Sequence, residues 1–301
     1  MKICLPRCLL SDQHHKEKTM NTFFQSVSLI LERESADLSK ETRKTYRFVL
    51  SKFERAFPRI QCAQITPDVI QEFREKMLRQ GNCNNTISKT LAALKTLINK
   101  VRHSGMIQTD PFANIRIRKV YSTRHYLTTD ELQFLHSHFL TGRQDLSRPE
   151  QDAVLAFLFS CFTGLRYSDL KSLMPDEIQN GRIRKQMHKT GDVVYIPLAE
   201  QAAGLLMAAR QQKDGRILKV TENSYFNRHL RSGAGKLGFS KHIHCHLARH
   251  TFATACLTLG IPLEVTSKLL GHRNVSTTMI YAKYVDKVLD TEMEKFRKLQ
   301  K

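Results

Sequence analysis

Residues 163–170 read TGLRYSDL and follow the apolar run from Ala153 to Phe162, which predicts a buried helix. Gly164 breaks that helix and lets Arg166 emerge from an apolar layer at a fixed place. Arginine suits such a position because its planar guanidinium binds two phosphate oxygens and stays charged when partly buried. Alternatively, Arg166 could be a structural residue that forms an ion pair with Asp169, three residues later. Both roles hold if Asp169 orients the guanidinium.

A second informative segment, residues 246–250, reads HLARH. If a helix begins there, His246 and Arg249 project from one face, because they are three residues apart. One side chain can then handle a proton while the other binds the same phosphate. We interpret His250 as a core histidine that helps to hold the helix.

A zinc site is the competing interpretation of this region, because His246 and His250 have the i, i+4 spacing of metal ligands. His242, His244 and Cys245 add further candidate ligands. However, no glutamate stands at the HExxH position and no second cysteine at CxxC spacing. We therefore expect no metal.

The third segment, residues 270–272, reads LGH and ends a short helix that Pro262 opens and Gly271 closes. A second helix is predicted to start near Ser276, with Tyr281 at its far end. A tyrosine on a helix is in most proteins a packing residue. Here it follows two arginines and several histidines, so its hydroxyl is a candidate nucleophile.

In this order, the motifs resemble those of the tyrosine recombinases, the family of phage-type integrases. Arg166 matches the first arginine motif of the family, and residues 246–249 match its H-x-x-R motif. The LGH segment followed by Tyr281 matches its last motif. The resemblance covers the second half of the chain well, whereas the N-terminal part resembles the family only in kind.

A β-hairpin is predicted from Ile183 to His188 and from Val193 to Ile196, with a turn between them. The family carries a lysine on a hairpin between its first two motifs, and Lys189 at the tip of this hairpin matches it. Asp169 stands where many members carry Glu or Asp.

The resemblance implies an enzyme that cuts and rejoins DNA through a 3′-phosphotyrosine and a free 5′-hydroxyl. Because the bond energy is stored in that ester, we expect that neither ATP nor another cofactor is needed. The expected roles are Tyr281 as nucleophile, Arg166 and Arg249 as phosphate clamp, His272 as hydrogen-bond donor, His246 as base, Lys189 as acid, and Asp169 and His250 as supports.

The charge balance favours a nucleic-acid partner. Of the 301 residues, 48 are Lys or Arg and 28 are Asp or Glu, a formal net charge of +20. An excess of this size is more typical of a DNA- or RNA-binding protein than of a merely soluble basic one. Seven cysteines without a CxxC pair indicate reduced thiols. The chain start lacks a convincing signal peptide or membrane span, so we expect a cytoplasmic protein.

The helical patterns predict two domains and a mainly α fold with a small antiparallel β-hairpin in the second. Residues 20–115 are predicted to form a helical core-binding domain of the SAM-like type, and residues 116–126 a linker. Residues 127–301 are expected to be the catalytic domain with a C-terminal helix. If Met20 is the true start of the protein, residues 1–19 are an upstream extension. Otherwise we expect them to be a disordered arm. The resemblance implies that the two domains clamp DNA.

One predicted helix, from Thr86 to His103, carries several basic residues among its polar positions. In so basic a protein such a face can follow DNA phosphates. The alternative is an ordinary solvated face. The candidate DNA-binding residues on it are Lys89, Lys95, Lys100 and Arg102.

Taken together, these motifs predict a site-specific DNA recombinase for integration, excision or inversion of a mobile or invertible element. The resemblance implies double-stranded DNA with paired half-sites, a homo-tetramer and accessory DNA-bending proteins as partners. Residues 285–299 are expected to form a helix that docks into a neighbouring subunit, or alternatively onto its own domain. Two other functions compete: relaxation of DNA like a type IB topoisomerase, and DNA-binding regulation with a vestigial site. With only about 20 residues before the core-binding unit, the chain resembles the shorter members of the family, which include chromosome-dimer resolvases, invertases and some transposon integrases. Residues 162–170 resemble recombinases of Bacteroidetes mobile elements.

Overall fold

The computed structural model describes residues 22–34, 36–117, 125–210 and 212–282. These residues form two compact units, one before and one after the gap at 118–124. The expected N-terminal extension and C-terminal helix lie outside the described residues, as does most of the expected linker. Within the described ranges, no helix has the length and apolar character needed to cross a membrane.

In the first unit, three of the four described α-helices begin at residues whose side chains cap them. Thr22, Ser39 and Thr66 each accept a hydrogen bond from a backbone amide of the following turn. Thr66 and the proline after it open the third helix as predicted from the sequence. The helices are α1 (Phe23–Arg33), α2 (Lys40–Ala56), α3 (Pro67–Arg79) and α4 (Asn84–His103).

Helix α4 packs against each of the other three helices of this unit. Leu94, Leu97 and Ile98 on its apolar side are fully buried. Phe53 of α2 and Phe73 of α3 meet edge to face, with ring centroids 5.0 Å apart. This core is the apolar side that the periodicity of the sequence predicts.

The second unit is a layer of helices around one buried helix, with a small sheet. The predicted capping box at the start of α5 is confirmed, because Thr128 and Glu131 exchange hydrogen bonds. The helices are α5 (Thr129–Gly142), α6 (Arg148–Thr163), α7 (Tyr167–Lys171), α8 (Glu200–Ala208), α9 (Asn223–Lys236), α10 (Cys245–Thr258), α11 (Leu263–Leu269) and α12 (Met279–Ala282).

Helix α6 is the centre of this unit, and its burial confirms the prediction for the run from Ala153 to Phe162. It packs against α5, α8, α9 and α10, and its residues from Ala153 to Cys161 are all buried. Glu150 in its first turn is buried too, and binds Lys236 at 2.8 Å and Ser232 at 2.6 Å. These bonds outweigh the burial and lower the pKa of Glu150 to about 2.

The predicted hairpin is confirmed, as β2 (Arg182–Gln186) and β3 (Val193–Pro197). The strands are antiparallel, with Ile183 opposite Ile196 and their side chains buried. A further strand, β1 (Ile178–Gln179), adds to the other edge of β2. Two residues are too few for an alternating pattern, so the sequence did not predict β1.

The segment before Tyr281 differs from the predicted helix. Residues Val275–Thr277 form a 3₁₀ turn, and the α-helix begins only at Met279. The side chain of Asn274 accepts from the Ser276 amide at 2.9 Å and starts the turn. The β-branched residues of this turn favour α-helix poorly, so the chain takes the tighter geometry.

Gly164 ends helix α6 in the left-handed conformation, with φ +68°. A Cβ at this position would lie 2.5 Å from Cδ1 of Phe252.

We expect Gly164→Ala to lower the free energy of unfolding by about 2–5 kcal/mol, because it adds left-handed strain and overpacks the core. Urea denaturation measures the effect. Gly204→Ala in α8 is the control, since nothing lies within 4 Å of its added Cβ, and we expect it to be neutral or stabilising. An unfolding midpoint of Gly164→Ala equal to that of the natural chain would show that the turn tolerates a side chain.

Candidate active site

Arg166 lies at the start of α7, directly after the glycine turn that ends α6. Its Nη2 donates a hydrogen bond of 3.1 Å to the carbonyl of Gly271. Its Nη1 lies 4.0 Å from Oδ2 of Asp169, which is too long for a hydrogen bond. Both of these atoms are buried and have no hydrogen-bond partner among the described residues. The guanidinium is therefore fixed by one edge and keeps donor capacity on the other.

Arg249 lies in the first turns of α10 and is only 6% exposed. Its Nη1 donates to the carbonyl of Gly164 at 2.7 Å, and its Nη2 donates to the carbonyl of Leu270. Burial, together with the positive charge of Arg166, lowers the pKa of Arg249 to about 9. The guanidinium still carries its charge at neutral pH. Two cations held this close together favour an anion beside them.

His272 follows the turn at Gly271 and is half-buried. Burial, together with the charges of Arg249, Arg166 and Lys189, lowers its pKa to about 4. His272 is therefore neutral at pH 7. Its Nδ1 lies 2.8 Å from Oγ1 of the fully buried Thr278. When that hydroxyl donates to Nδ1, the ring proton resides on Nε2, which becomes a hydrogen-bond donor.

Tyr281 lies in α12 and is 3% exposed. Its hydroxyl is 2.7 Å from Nδ1 of His250, and the two rings lie 5.5 Å apart. The charge of a Tyr281 phenolate would act on both Arg166 and Arg249. The phenol thus belongs to the same cluster as the two guanidinium groups. From the sequence, His250 is interpreted only as a core histidine. Its position beside Arg249 gives no sign of the hydrogen bond to Tyr281, which lies 31 positions away in the chain.

Lys189 lies in the turn between β2 and β3 and is exposed. Its charge acts on His272, so the turn is within electrostatic reach of the cluster. The amide of the preceding residue, His188, donates to Oδ1 of Asp169 at 2.8 Å. Asp169 therefore joins the hairpin to the site, since its other oxygen faces Arg166.

His246 lies at the exposed start of α10, and its charge acts on the half-buried His244. Burial, together with the neighbouring charges, lowers the pKa of His244. Of the residues that the structure describes, no three His, Cys, Asp or Glu side chains are grouped so that they could hold a metal ion.

The four basic residues that the sequence assigns to DNA on α4 do not form one free face. Lys100 is paired with Glu34, and the ammonium of Lys95 lies 5.6 Å from the ring centre of Phe112. Arg102 is partly buried, whereas Lys89 is exposed. The helix is covered on most of its circumference, so polar positions on it also serve contacts within the unit.

Comparison with known proteins follows the same two units. The sequence model described as Phage integrase SAM-like domain matches residues 19–117. The model described as Phage integrase family matches residues 125–287, which is more than half of the chain. A tyrosine recombinase of Thermosipho africanus is 28% identical over 266 residues, covering 82% of this chain and 90% of that protein. Tyrosine recombinase XerC of Bacillus licheniformis is 30% identical over 277 residues, covering 81% and 86%.

Among solved structures, the chain is similar in fold to a lambda integrase tetramer bound to a Holliday junction. The TM-score is 0.71 at 17% identity, and the match covers 89% of this chain and 82% of that one. The family models extend over both units and over the motifs around Arg166, Arg249 and Tyr281, so the resemblance stated from the sequence is confirmed. The chain belongs to the phage integrase family of tyrosine recombinases and is a DNA strand-transferase of site-specific recombination.

Proposed function

We propose that this recombinase cuts and rejoins DNA through a 3′-phosphotyrosine intermediate formed by Tyr281. The observation that carries the proposal is the cluster of a buried guanidinium, Arg249, and a partly buried one, Arg166, whose charges both act on the buried phenol of Tyr281. Arg166 Nη1 is buried there without a hydrogen-bond partner among the described residues. A phosphodiester brings the acceptor oxygens and the negative charge that such a cluster needs.

The two arginines are proposed to bind the scissile phosphate. The transition state of phosphoryl transfer carries negative charge on its nonbridging oxygens. Arg166 and Arg249 are already held by the carbonyls of Gly271, Gly164 and Leu270, so little reorganisation is needed when that charge develops. Neutral His272 adds a hydrogen bond through Nε2.

A free tyrosine phenol has a pKa of about 10, so such a hydroxyl is a weak nucleophile until it loses its proton. The two guanidinium charges favour the phenolate. His250 contacts the hydroxyl, whereas His246, which the sequence suggests as base, lies at the exposed start of the same helix. We therefore propose His250 as the first acceptor of the proton. Single-turnover cleavage separates the two assignments: His250→Ala should slow the reaction more than His246→Ala, and the opposite order would return the role to His246.

Lys189 is proposed to protonate the leaving 5′-oxygen. It is exposed, its charge reaches His272, and it lies on a turn whose neighbouring amide is fixed by Asp169. An ammonium on a long side chain can reach an oxygen of bound DNA and lose a proton to it.

The assembly is proposed from the same family. Residues 20–115 serve as a DNA-binding domain, with the exposed Lys89 as a phosphate contact, and residues 127–301 serve as the catalytic domain. Four copies assemble on paired half-sites, as the lambda integrase tetramer does on a Holliday junction, and residues 285–299 dock into a neighbour. Accessory DNA-bending proteins are also proposed to take part. The recombinase acts on DNA in the cytoplasm.

Covalent capture from a pool of random sequences tests the proposal and finds the target in the same step. The full chain is mixed with duplexes whose central positions are random. Each duplex also carries a nick near the cleavage site. After cleavage, the short fragment with its free 5′-hydroxyl diffuses away, so the covalent adduct cannot be religated and accumulates. We expect protein-linked DNA attached at its 3′ end, with one sequence class enriched. The absence of any adduct would contradict the proposal. Equal capture at every sequence would instead favour the topoisomerase-like alternative.

Thr278 provides a prediction about His272. Thr278→Val keeps the volume but removes the hydroxyl that directs the ring proton to Nε2. We expect this variant to cleave a duplex of the sequence recovered by covalent capture about tenfold more slowly, or slower still. A comparable loss follows when the tautomer of another catalytic histidine is disturbed. Thr277→Val, at the exposed neighbouring position, is the control and should cleave normally. Equal rates for both variants would show that the bond to Thr278 does not matter for His272.

A further inference from the structure

The turn that carries Lys189 is held on both sides by side chains from outside the hairpin. On one side, the His188 amide donates to Asp169. On the other side, Nη2 of Arg273 donates to the carbonyl of Thr190. The same guanidinium binds Asp192, with 2.9 Å between Nε and Oδ2. The backbone is therefore anchored immediately before and immediately after Lys189.

The body of the hairpin rests on the same segment from which Arg273 projects. A Cβ at Gly271 would lie 2.8 Å from Cγ1 of Val194 and 3.3 Å from Cγ of Met187. Gly271 thus allows the hairpin to approach the backbone closely. Arg166 holds the carbonyl of Gly271 from the other side. The hairpin, the segment from Gly271 to Arg273 and the guanidinium of Arg166 form one connected set.

Stability does not account for the contact between Arg273 and Asp192. The two side chains are 68% and 46% exposed, and exposed ion pairs contribute little to the free energy of unfolding. The contact does constrain position. Arg273 grips a backbone carbonyl and a carboxylate with one planar group, which fixes the turn in orientation as well as in distance.

We propose that Arg273 is a positioning residue for the leaving-group acid. By binding Thr190 and Asp192, it holds the turn so that Lys189 stands beside His272 and the bound phosphate. Asp169 does the same from the other end of the turn. The hairpin is thereby coupled to the segment that carries His272. This inference rests on the proposed role of Lys189 as acid.

An exposed arginine beside a DNA-binding site can also contact a phosphate directly, and Asp192 distinguishes the two roles. Asp192→Asn removes the carboxylate that Arg273 grips, yet it makes the surface more positive. If Arg273 acts through DNA binding, Asp192→Asn should bind and cleave at least as well as the natural chain. If Arg273 acts through the turn, Asp192→Asn and Arg273→Ala should fail in the same way.

The experiment uses the full chain and a suicide duplex recovered by covalent capture, made with oxygen or with sulfur at the 5′-bridging position of the scissile phosphate. A sulfur leaving group needs little protonation. We expect Arg273→Ala and Asp192→Asn each to slow cleavage of the oxygen substrate about tenfold. General acid catalysis accelerates a reaction by about 10²–10⁴-fold, and these variants lose only part of it. Cleavage of the sulfur substrate should slow by less than about threefold. Arg184→Ala, which removes an exposed arginine from the same hairpin, should cleave both substrates normally.

Hydrogen exchange supplies a measurement that needs no DNA. Amides of residues 187–193 should exchange faster in Arg273→Ala and Asp192→Asn, and at the natural rate in Arg184→Ala. Lys189→Ala tests the underlying assignment: if sulfur does not rescue it, the acid is another group. If sulfur rescues Lys189→Ala while Arg273→Ala and Asp192→Asn cleave the oxygen substrate normally, Lys189 is the acid but Arg273 does not position it. Equal slowing of both substrates by Arg273→Ala would also overturn the inference.

Discussion

Replacing Tyr281 with phenylalanine is expected to abolish covalent attachment to DNA while leaving the fold and the DNA affinity intact. The substitution removes one oxygen, the proposed nucleophile, from a side chain that is otherwise fully packed. Loss of the hydrogen bond to His250 should cost only about 1 kcal/mol of stability. The measurement is the amount of protein that migrates with DNA after denaturation, at a concentration that saturates the binding site.

The matched control is Tyr195→Phe, because Tyr195 is exposed on β3 and its hydroxyl accepts a long hydrogen bond of 3.4 Å from the neighbouring Arg184. It should form the adduct as the natural chain does. An adduct in Tyr281→Phe would remove Tyr281 from the mechanism, whatever its position in the motif.

Replacing Arg249 with lysine is expected to give the second large effect, a loss of about 10²–10³-fold in cleavage rate, the typical cost of removing one donor from a preorganised site. Arg249 serves two carbonyls, those of Gly164 and Leu270, and the proposed phosphate at once. A single ammonium cannot span these positions. Beside Arg166, a buried lysine would also lose its proton more readily than arginine does.

Because Arg249 is buried, its replacement can also affect folding. One unpaired buried carbonyl costs about 1–3 kcal/mol, so the rate is measured on the folded fraction, determined by DNA binding. Arg184→Lys, at an exposed position of the hairpin, controls for the exchange of side-chain type. Near-natural cleavage by folded Arg249→Lys would mean that Arg249 is a structural residue and not part of a phosphate clamp.

Local patterns in the sequence predicted the helix starts, the buried helix and the hairpin, because neighbouring residues determine these elements. Thr66 and Thr128 are followed by the proline and glutamate that make good helix starts, and the structure places helices there. The apolar run of α6, interrupted only by Ser160, predicted its burial, because only a helix covered on all sides can keep so little polar surface. The turn at residues 190–192, between two short strand-like segments, predicted the hairpin of β2 and β3.

Contacts between distant positions could not be predicted in this way. Arg273 and Asp192 are 81 positions apart, and His188 and Asp169 are 19 apart, so no local pattern reports either pair. The sequence alone suggests a free basic residue at Lys100, whereas the structure pairs it with Glu34, which follows the end of α1. The family motifs include the residues proposed to surround the phosphate, but the support of the hairpin by Arg273 lies outside those motifs.

Mass spectrometry of the covalent adduct tests the central claim most directly. The natural chain is trapped on a suicide duplex, the DNA is digested to a short stub, and the modified peptide is sequenced. We expect one modified residue, Tyr281, joined through its phenolic oxygen to the 3′-phosphate of the stub. Attachment at Tyr284 or at any other residue, or linkage to a 5′-phosphate, would contradict the account.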